Sequence, residues 1–180
     1  MSNDTPQSVI DFWKNAGPKR WFAKDDAFDA AFRETFHDTH LRAARRELES
    51  WLDSAQGALA LLILLDQFPR NAFRGTAHMF ATDPLARLYA RRMVDAGLDR
   101  QVEPTLRAFC YLPFEHSEDP ADQQRSLALN QQLDANTYHW AQEHAEIIER
   151  FGRFPHRNEV LARDTTNEER AFLNKGGFAG

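Results

Sequence analysis

One stretch constrains the fold of this chain more than any other. Residues 58–65 read ALALLILL, so a regular element built from them is apolar on every side and must be enclosed by other elements. Alanine and leucine favour helix, and β-branched residues are almost missing from the stretch. It is also far shorter than the roughly 20 apolar residues that cross a bilayer. The sequence therefore predicts a central buried helix from about Ser54 to Phe68 and no membrane span.

Signals for helix starts recur along the rest of the chain. Thr5-Pro6, Asp83-Pro84 and Asp119-Pro120 each place a side-chain oxygen at the N-cap and a proline in the first turn. Thr166 and Glu169 have the spacing of a capping box before a last short helix. Alternation typical of strands is nearly absent, so these signals predict an all-helical chain.

Between the starts, apolar residues follow a helical period, which is typical of faces that pack on a core. Four such stripes are Phe28, Phe32 and Phe36; Leu41, Ala44, Leu48 and Trp51; Leu85, Leu88, Tyr89 and Met93; and Trp140, His144, Ile147 and Phe151. We expect an all-α fold of seven to nine helices in a single domain over residues 1–180, with flexible tails at 1–5 and 175–180. A chain of this length can bury about 70% of its unfolded surface in one core.

Charge and composition exclude several function classes. The 180 residues carry a formal net charge of −5, which argues against a general nucleic-acid binder. No glycine-rich phosphate loop is present, which excludes nucleotide binding of the P-loop or Rossmann kind, and no cofactor is predicted. The polar start lacks the pattern of an export signal, and Cys110 is the only cysteine, so we expect a cytoplasmic protein without disulfides. The oligomeric state stays open.

Three polar and aromatic segments interrupt the helical pattern: Leu64–Asn71 (LLDQFPRN), Tyr111–Asp119 (YLPFEHSED) and Phe151–Asn158 (FGRFPHRN). The first and third share a phenylalanine-proline step followed by arginine and asparagine, where proline is expected to stop a helix. Asp66 follows the apolar helix, so its carboxylate is expected to be buried and to need a cationic partner. Arg70, Arg74, Arg157 and His156 are the candidate partners.

These segments support a structural and a functional interpretation. In the structural one, a single network stitches the segments together, and Asn71, Ser117 and Asn158 serve as caps or hydrogen-bond partners. In the functional one, the segments converge on a cleft that binds a small anion or a peptide carboxylate. The expected ligand-binding residues are Arg70, Asn71, Glu115, His116, Glu118, His156, Arg157 and Asn158, with Asp66, Gln67 and Ser117 supporting them.

In this cleft Arg70 and Arg157 would clamp the anion, because guanidinium groups bind carboxylates bidentately. An alternative is an enzyme in which His116 or His156 acts with Glu118 in acid–base chemistry, and another is a protein–protein interaction scaffold. No metal site is predicted. His37 and His40 share a helix face, but they lack further ligands and are expected to be surface histidines.

The three segments resemble the signature stretches of the domain of unknown function 924 family, and their order matches as well. Further likeness comes from Phe12-Trp13, Trp21-Phe22 and the final Thr166, Glu169, Phe172 and Leu173, so the resemblance covers about Val9 to Leu173. It implies an all-helical, tetratricopeptide-like superhelix and no particular reaction. The positions it marks are Asp66, Gln67, Arg70, Asn71, Glu115, His116, Ser117, Glu118, His156, Arg157 and Asn158.

Overall fold

A computed structural model describes residues 4–178, which form helices and turns without a strand. The helices are α1 (Pro6–Ala16), α2 (Pro18–Trp21), α3 (Asp26–Ala44), α4 (Ala55–Leu62), α5 (Phe68–Ala72), α6 (Asp83–Asp95), α7 (Leu112–Glu115), α8 (Pro120–Asn130), α9 (Ala135–Phe151) and α10 (Asn167–Asn174). A π-helical turn joins α4 to α5 without a break. Counted as one continuous helix, these two bring the number of helices in residues 4–178 to nine. The all-α prediction and the predicted helix number are confirmed.

Two further expectations, the tetratricopeptide-like superhelix and the single domain, stay predictions. The tails predicted at 1–5 and 175–180 fall partly on residues 1–3 and 179–180, which lie outside the described residues. Within the described part, none of the helices combines the length and the apolarity that a bilayer crossing requires.

Close contacts divide the chain into two compact units, and the first contains residues up to Arg74 together with His78–Pro113. Its centre is α4, against which α1 and α6 pack, while α3 packs on α5. Every residue from Gly57 to Leu65 is buried, as predicted for the central helix. Trp13 and Phe32 are among the large aromatic side chains of this core and are fully buried.

The second unit contains Gly75–Ala77 and the chain from Phe114 onward. Here α8 packs on α9, and α10 packs on a 3-10 turn at Pro155–Arg157. Ile147, Ile148 and Phe154 are buried at its core, and the partly buried rings of Phe151, Phe172 and Phe178 pack against them.

Most predicted helix starts are confirmed by their caps. Thr5 and Thr166 each form a capping box, and the Asp119 carboxylate accepts a hydrogen bond from the Ala121 N–H. The start at Asp83 is displaced by one residue, because Thr82 occupies the N-cap position and Asp83 is the first helical residue. The Asp83 carboxylate is instead paired with an arginine of the same unit.

Three of the four predicted core stripes are wrong in part. The stripe from Leu41 to Trp51 does not run along one helix, because α3 ends at Ala44 and Arg46 adopts a left-handed backbone with φ 65°. A 3-10 helix, Glu49–Asp53, follows. On the other stripes, Leu88 and Trp140 are exposed. Periodicity identified these helices but placed the edges of their buried faces one position too far out.

Candidate functional site

The first segment, predicted to be a corner, is helical. Ile63–Gln67 forms a π-helical turn in which the Phe68 N–H donates to the Ile63 carbonyl, five residues back. Pro69 has no N–H, so one carbonyl of the preceding turn lacks its helical donor. The prediction that Pro69 stops a helix is therefore wrong, because the helix widens by one residue before it and continues to Ala72.

Side chains complete this π turn. The Leu64 carbonyl lies 2.8 Å from His40 Nδ1, the Leu65 carbonyl accepts from Thr82 Oγ1 at 2.5 Å, and the Asp66 carbonyl accepts from Arg70 Nη1 at 2.7 Å. Because His40 and Thr82 lie far from this turn in the sequence, tertiary contacts hold the turn together with the local bond from Arg70.

Arg70 joins two carboxylates within the first unit. Its Nη1 and Nη2 donate to the two Asp83 oxygens at 2.8 and 3.0 Å, and Nη1 lies 3.2 Å from Asp66 Oδ1. Gln67 Nε2 donates to the other Asp66 oxygen at 2.6 Å. Burial lowers the pKa of Arg70, but the two carboxylates outweigh burial and leave its pKa above the ordinary value. Arg70 is thus the cationic partner that Asp66 was predicted to need.

Asn71 also points to a carboxylate of the first unit. Its Nδ2 donates to Asp29 Oδ1 at 2.7 Å, and Arg74 Nε donates to Asp29 Oδ2 at 2.9 Å. Asp29 lies in the first turn of α3, where a carboxylate is favoured by the helix dipole. Asn71 and Arg74 therefore fasten α5 to the start of α3.

The second segment belongs to the second unit from Phe114 onward, and its central residues are buried in hydrogen bonds. Ser117 Oγ donates to Asp122 Oδ2 at 2.8 Å and accepts from the Asp119 N–H at 3.1 Å. Gln123 Nε2 donates to the Glu115 carbonyl at 2.8 Å and to the Ser117 carbonyl at 2.6 Å. These bonds give Ser117 a structural role at the start of α8.

The third segment is attached to the second by two bonds. Arg157 Nη2 donates to the His116 carbonyl at 3.0 Å, and the Phe154 N–H donates to Glu118 Oε1 at 2.9 Å. The Arg157 guanidinium also lies 4.4 Å from the centre of the Phe154 ring, within the range of a cation–π contact. The structure therefore brings the second and third segments together, as predicted. Their convergence with the first segment stays a prediction.

Glu118 and Asn158 complete this attachment. Glu118 Oε1 accepts from Arg163 Nη1 at 2.8 Å, and Asn158 Nδ2 donates to Glu169 Oε2 at 3.3 Å. Burial raises the pKa of Glu118, but the hydrogen bonds from Arg163 and the Phe154 N–H outweigh it and lower its pKa below the ordinary value. Glu118 is therefore held as a carboxylate, which suits an acceptor better than a general acid.

The second unit also contains a group of histidines. We define the histidine cluster as His116, His144 and His156 with Glu115. His144 Nδ1 lies 2.8 Å from the Trp140 carbonyl and 3.3 Å from Glu115 Oε1, and both His144 and Glu115 are buried. The ring centres of His116 and His144 are 6.2 Å apart. Because a carbonyl only accepts, the contact assigns the hydrogen of a neutral His144 to Nδ1 and leaves Nε2 as the basic nitrogen.

Aromatic rings form the other side of the histidine cluster. The Phe154 ring centre lies 5.6 Å from His144 and 5.7 Å from His156. The Phe178 ring centre lies 4.6 Å from His144 and 5.3 Å from His156. Phe178 comes from the end of the described chain, so this segment covers part of the cluster.

The sequence pattern does not reveal the surroundings of two histidines. His144 was assigned only to a core stripe, although its polar ring on an otherwise apolar face was the available signal. His40 was expected at the surface, which is wrong: it is fully buried, and burial, which outweighs its bond to Leu64, lowers its pKa to about 4. The spacing of Phe28, Phe32, Phe36 and His40 already placed His40 on the buried face of α3. Residues 4–178 hold no group of three or more histidine, cysteine, aspartate or glutamate residues that could bind a metal ion.

Comparison with known proteins gives the chain a family. Residues 9–177 match the family described as "Bacterial protein of unknown function (DUF924)". A solved structure of a protein of unknown function from Agrobacterium tumefaciens is 57% identical and superposes with a TM-score of 0.93, covering 95% of this chain and 97% of that one. No curated protein matches the sequence. The chain therefore belongs to the DUF924 family, as the resemblance of its three segments predicts.

Proposed function

We propose that the protein binds a small anionic ligand at the histidine cluster of its second unit. The observation that carries the proposal is the contact of His144 with the buried carboxylate of Glu115. The ring centre of His116 lies 6.2 Å from that of His144, and His156 packs on the same Phe154 and Phe178 rings as His144 does. Imidazole can donate to an anion in either protonation state and gains a full positive charge on protonation. His116 and His156 are only half-buried, so they reach the surface that a ligand must approach.

The arginines of the predicted clamp take another role in this proposal. Arg70 donates to the Asp83 carboxylate and lies against Asp66, so its charge is largely balanced inside the first unit. Arg157 donates to the His116 carbonyl and lies over Phe154. In this proposal Arg157 holds the His116 backbone in position, and the imidazoles contact the anion.

A binding experiment tests this assignment. The probes are inorganic phosphate, sulfate and a series of small carboxylates, titrated by calorimetry and thermal shift into the wild-type protein. A probe at 100 times its dissociation constant stabilises a one-site protein by about 2.7 kcal/mol. His116→Gln and His156→Gln should each weaken binding by about tenfold or more, since each removes a hydrogen bond to a charged group. Binding that both variants leave unchanged contradicts the proposal.

His139→Gln is the matched control. His139 lies on α9, as His144 does, but it is exposed, and its ring lies tilted beside Trp140 rather than against Phe154 or Phe178. Its replacement should leave binding unchanged. Phe178→Ala is a further test. The Phe178 ring covers His144 and His156, so a ligand that must displace this ring should bind more tightly once the ring is removed.

An enzyme that uses acid–base chemistry is a second candidate, favoured by the contact between Glu115 and His144. A carboxylate beside Nδ1 stabilises a protonated imidazole and leaves Nε2 to exchange the proton, as in many catalytic pairs. Glu115→Gln should then lower turnover of a substrate by about 10²-fold or more. The scaffold alternative stays a prediction, because the large hydrophobic residues that the described chain exposes, Phe22, Leu88 and Trp140, are single residues of a kind that is common on soluble proteins.

A further inference from the structure

A shallow pocket in the first unit lies far in sequence from the three segments. Its volume is about 350 Å³, at the lower end of the range for small-ligand sites. Helix α1, the short helix α2 and the start of α3 supply its lining, which is Phe12, Asn15, Ala16, Arg20, Asp25, Ala27, Phe28 and Ala31. We call it the Arg20 pocket.

The floor of the Arg20 pocket is apolar. The rings of Phe12 and Phe28 stack with their centres 5.5 Å apart. Ala27 and Ala31 are one helical turn apart on α3 and line the same side. Their short side chains leave open the space that longer side chains would fill. This floor suits an apolar group of modest size.

The polar rim carries one positive and one negative charge. Arg20 Nε lies 3.4 Å from Asp25 Oδ2, and the two side chains are 58% and 32% exposed. Asp25 Oδ1 accepts the Ala27 and Phe28 N–H groups at the start of α3, whereas Oδ2 faces Arg20. Within residues 4–178 Asp25 is the one acidic partner of Arg20, so the other guanidinium donors are available to a ligand.

Local structure holds Arg20 at this rim. Gly17, with φ 74°, ends α1 and lets the chain turn at once into α2. Trp21 Nε1 then donates to the Trp13 carbonyl at 2.6 Å, which fastens α2 to α1. The backbone of Arg20 is therefore fixed by its neighbour, while its side chain stays accessible.

We propose that the Arg20 pocket binds a free α-amino acid with an apolar side chain. The carboxylate of the ligand would accept from the Arg20 guanidinium, and its ammonium group would donate to Asp25 Oδ2. The apolar side chain would lie on Phe12 and Phe28, with the Asn15 amide at the edge. Exposed ion pairs contribute little, so a zwitterion that separates Arg20 from Asp25 loses little and gains two charge-assisted bonds.

The test uses L-leucine and L-phenylalanine as probes, with binding followed by calorimetry and by NMR shifts of the full chain. The corresponding amides lack the carboxylate, the N-acetyl forms lack the positive charge, and glycine lacks the side chain. We expect both amino acids to bind and each of these three changes to weaken binding by tenfold or more. Equal binding of the N-acetyl forms, or no saturable binding of either amino acid, overturns the proposal.

Variants locate the site. Arg20→Gln should weaken binding at least tenfold, and Ala31→Leu, on an exposed helical position, should block the floor with little effect on stability. Arg33→Gln, an exposed arginine of α3 outside the pocket lining, is the matched control and should bind as the wild type does. His116→Gln should also bind normally, so failure here and failure of the proposed anion site are distinguishable. Loss of binding in Arg33→Gln equal to that in Arg20→Gln overturns the assignment.

Discussion

Two proline-containing stretches, which we call the first and the second corner, take different paths. The first corner, Phe68-Pro69-Arg70-Asn71, continues a helix, whereas the second, Phe154-Pro155-His156-Arg157-Asn158, follows the end of one. The difference begins before each proline. Gly152 ends α9 in a left-handed conformation with φ 68°, so the second corner starts from a turned chain. Before Pro69 the helix widens into a π turn whose carbonyls are bound by His40, Thr82 and Arg70. Proline is therefore compatible with either path, and the residues before it decide which one the chain takes.

The arginines of the two corners also differ in the charge of their acceptors. Arg70 neutralises carboxylates, so its removal leaves negative charges in a part of the protein that water hardly reaches. Arg157 donates to a neutral carbonyl and lies on an aromatic ring. Its charge also helps to lower the pKa of Glu118, but that carboxylate accepts a hydrogen bond from Arg163 and keeps this cation when Arg157 is removed. The same residue type thus has a larger effect on stability at the first corner.

Arg70→Met should produce the largest effect. It leaves Asp66, which is 1% exposed, and Asp83 without their guanidinium partner. We expect the free energy of unfolding, measured by urea denaturation, to fall by about 3–5 kcal/mol. Arg74→Gln, on the same side of the first corner, removes a half-exposed pair and should cost less than about 1 kcal/mol. Similar losses in the two variants would contradict the charge-based distinction.

A compensating variant separates charge from packing. Arg70→Met combined with Asp66→Asn and Asp83→Asn removes the uncompensated charges while it keeps the size of the carboxylate side chains. It should recover much of the stability lost in Arg70→Met alone. If it is no more stable than the single variant, the guanidinium acts through its packing rather than through its charge.

Much of the fold follows from local sequence. The caps at Thr5, Asp119 and Thr166 and the all-apolar stretch from Ala58 to Leu65 each specify an element without distant information. The left-handed Arg46 that follows α3 has no comparable signal, because arginine favours helix and rarely adopts positive φ. The sequence pattern therefore extended the helical stripe past the residue where the chain turns.

The candidate sites were harder to predict, since their partners are distant in sequence. Asn71 bonds to Asp29 across 42 residues, and Arg157 bonds to His116 across 41. A single sequence contains the polar residue types but does not specify which of them meet. The motifs marked the residues that bond, and only the structure shows that His144, assigned to a core stripe, lies between Glu115 and Phe178.

Arg157→Met should have an intermediate effect at the second corner. It leaves the His116 carbonyl without the Nη2 donor, while the apolar part of methionine keeps some contact with Phe154. The expected loss in the free energy of unfolding is about 1–3 kcal/mol. Arg150→Gln is a matched control, because Arg150 lies 4.6 Å from the Phe151 ring but is half-exposed and pairs with exposed Glu168. A loss in Arg157→Met as large as in Arg70→Met would erase the contrast between the corners.

The smallest change concerns the pH dependence of the second corner. The hydrogen bond from Arg153, followed by those from the Thr166 N–H and Asn158, outweighs burial and lowers the pKa of Glu169 from 4.5 to about 2. Because the folded pKa lies below the unfolded one, this carboxylate stabilises the fold above pH 4.5, and its contribution disappears as the pH falls towards 2. Glu169→Gln keeps an oxygen acceptor for the Thr166 N–H but cannot titrate. Its urea midpoint should therefore fall less steeply between pH 5 and pH 2 than that of the wild type, and parallel pH profiles would show that Glu169 does not anchor the corner through its charge.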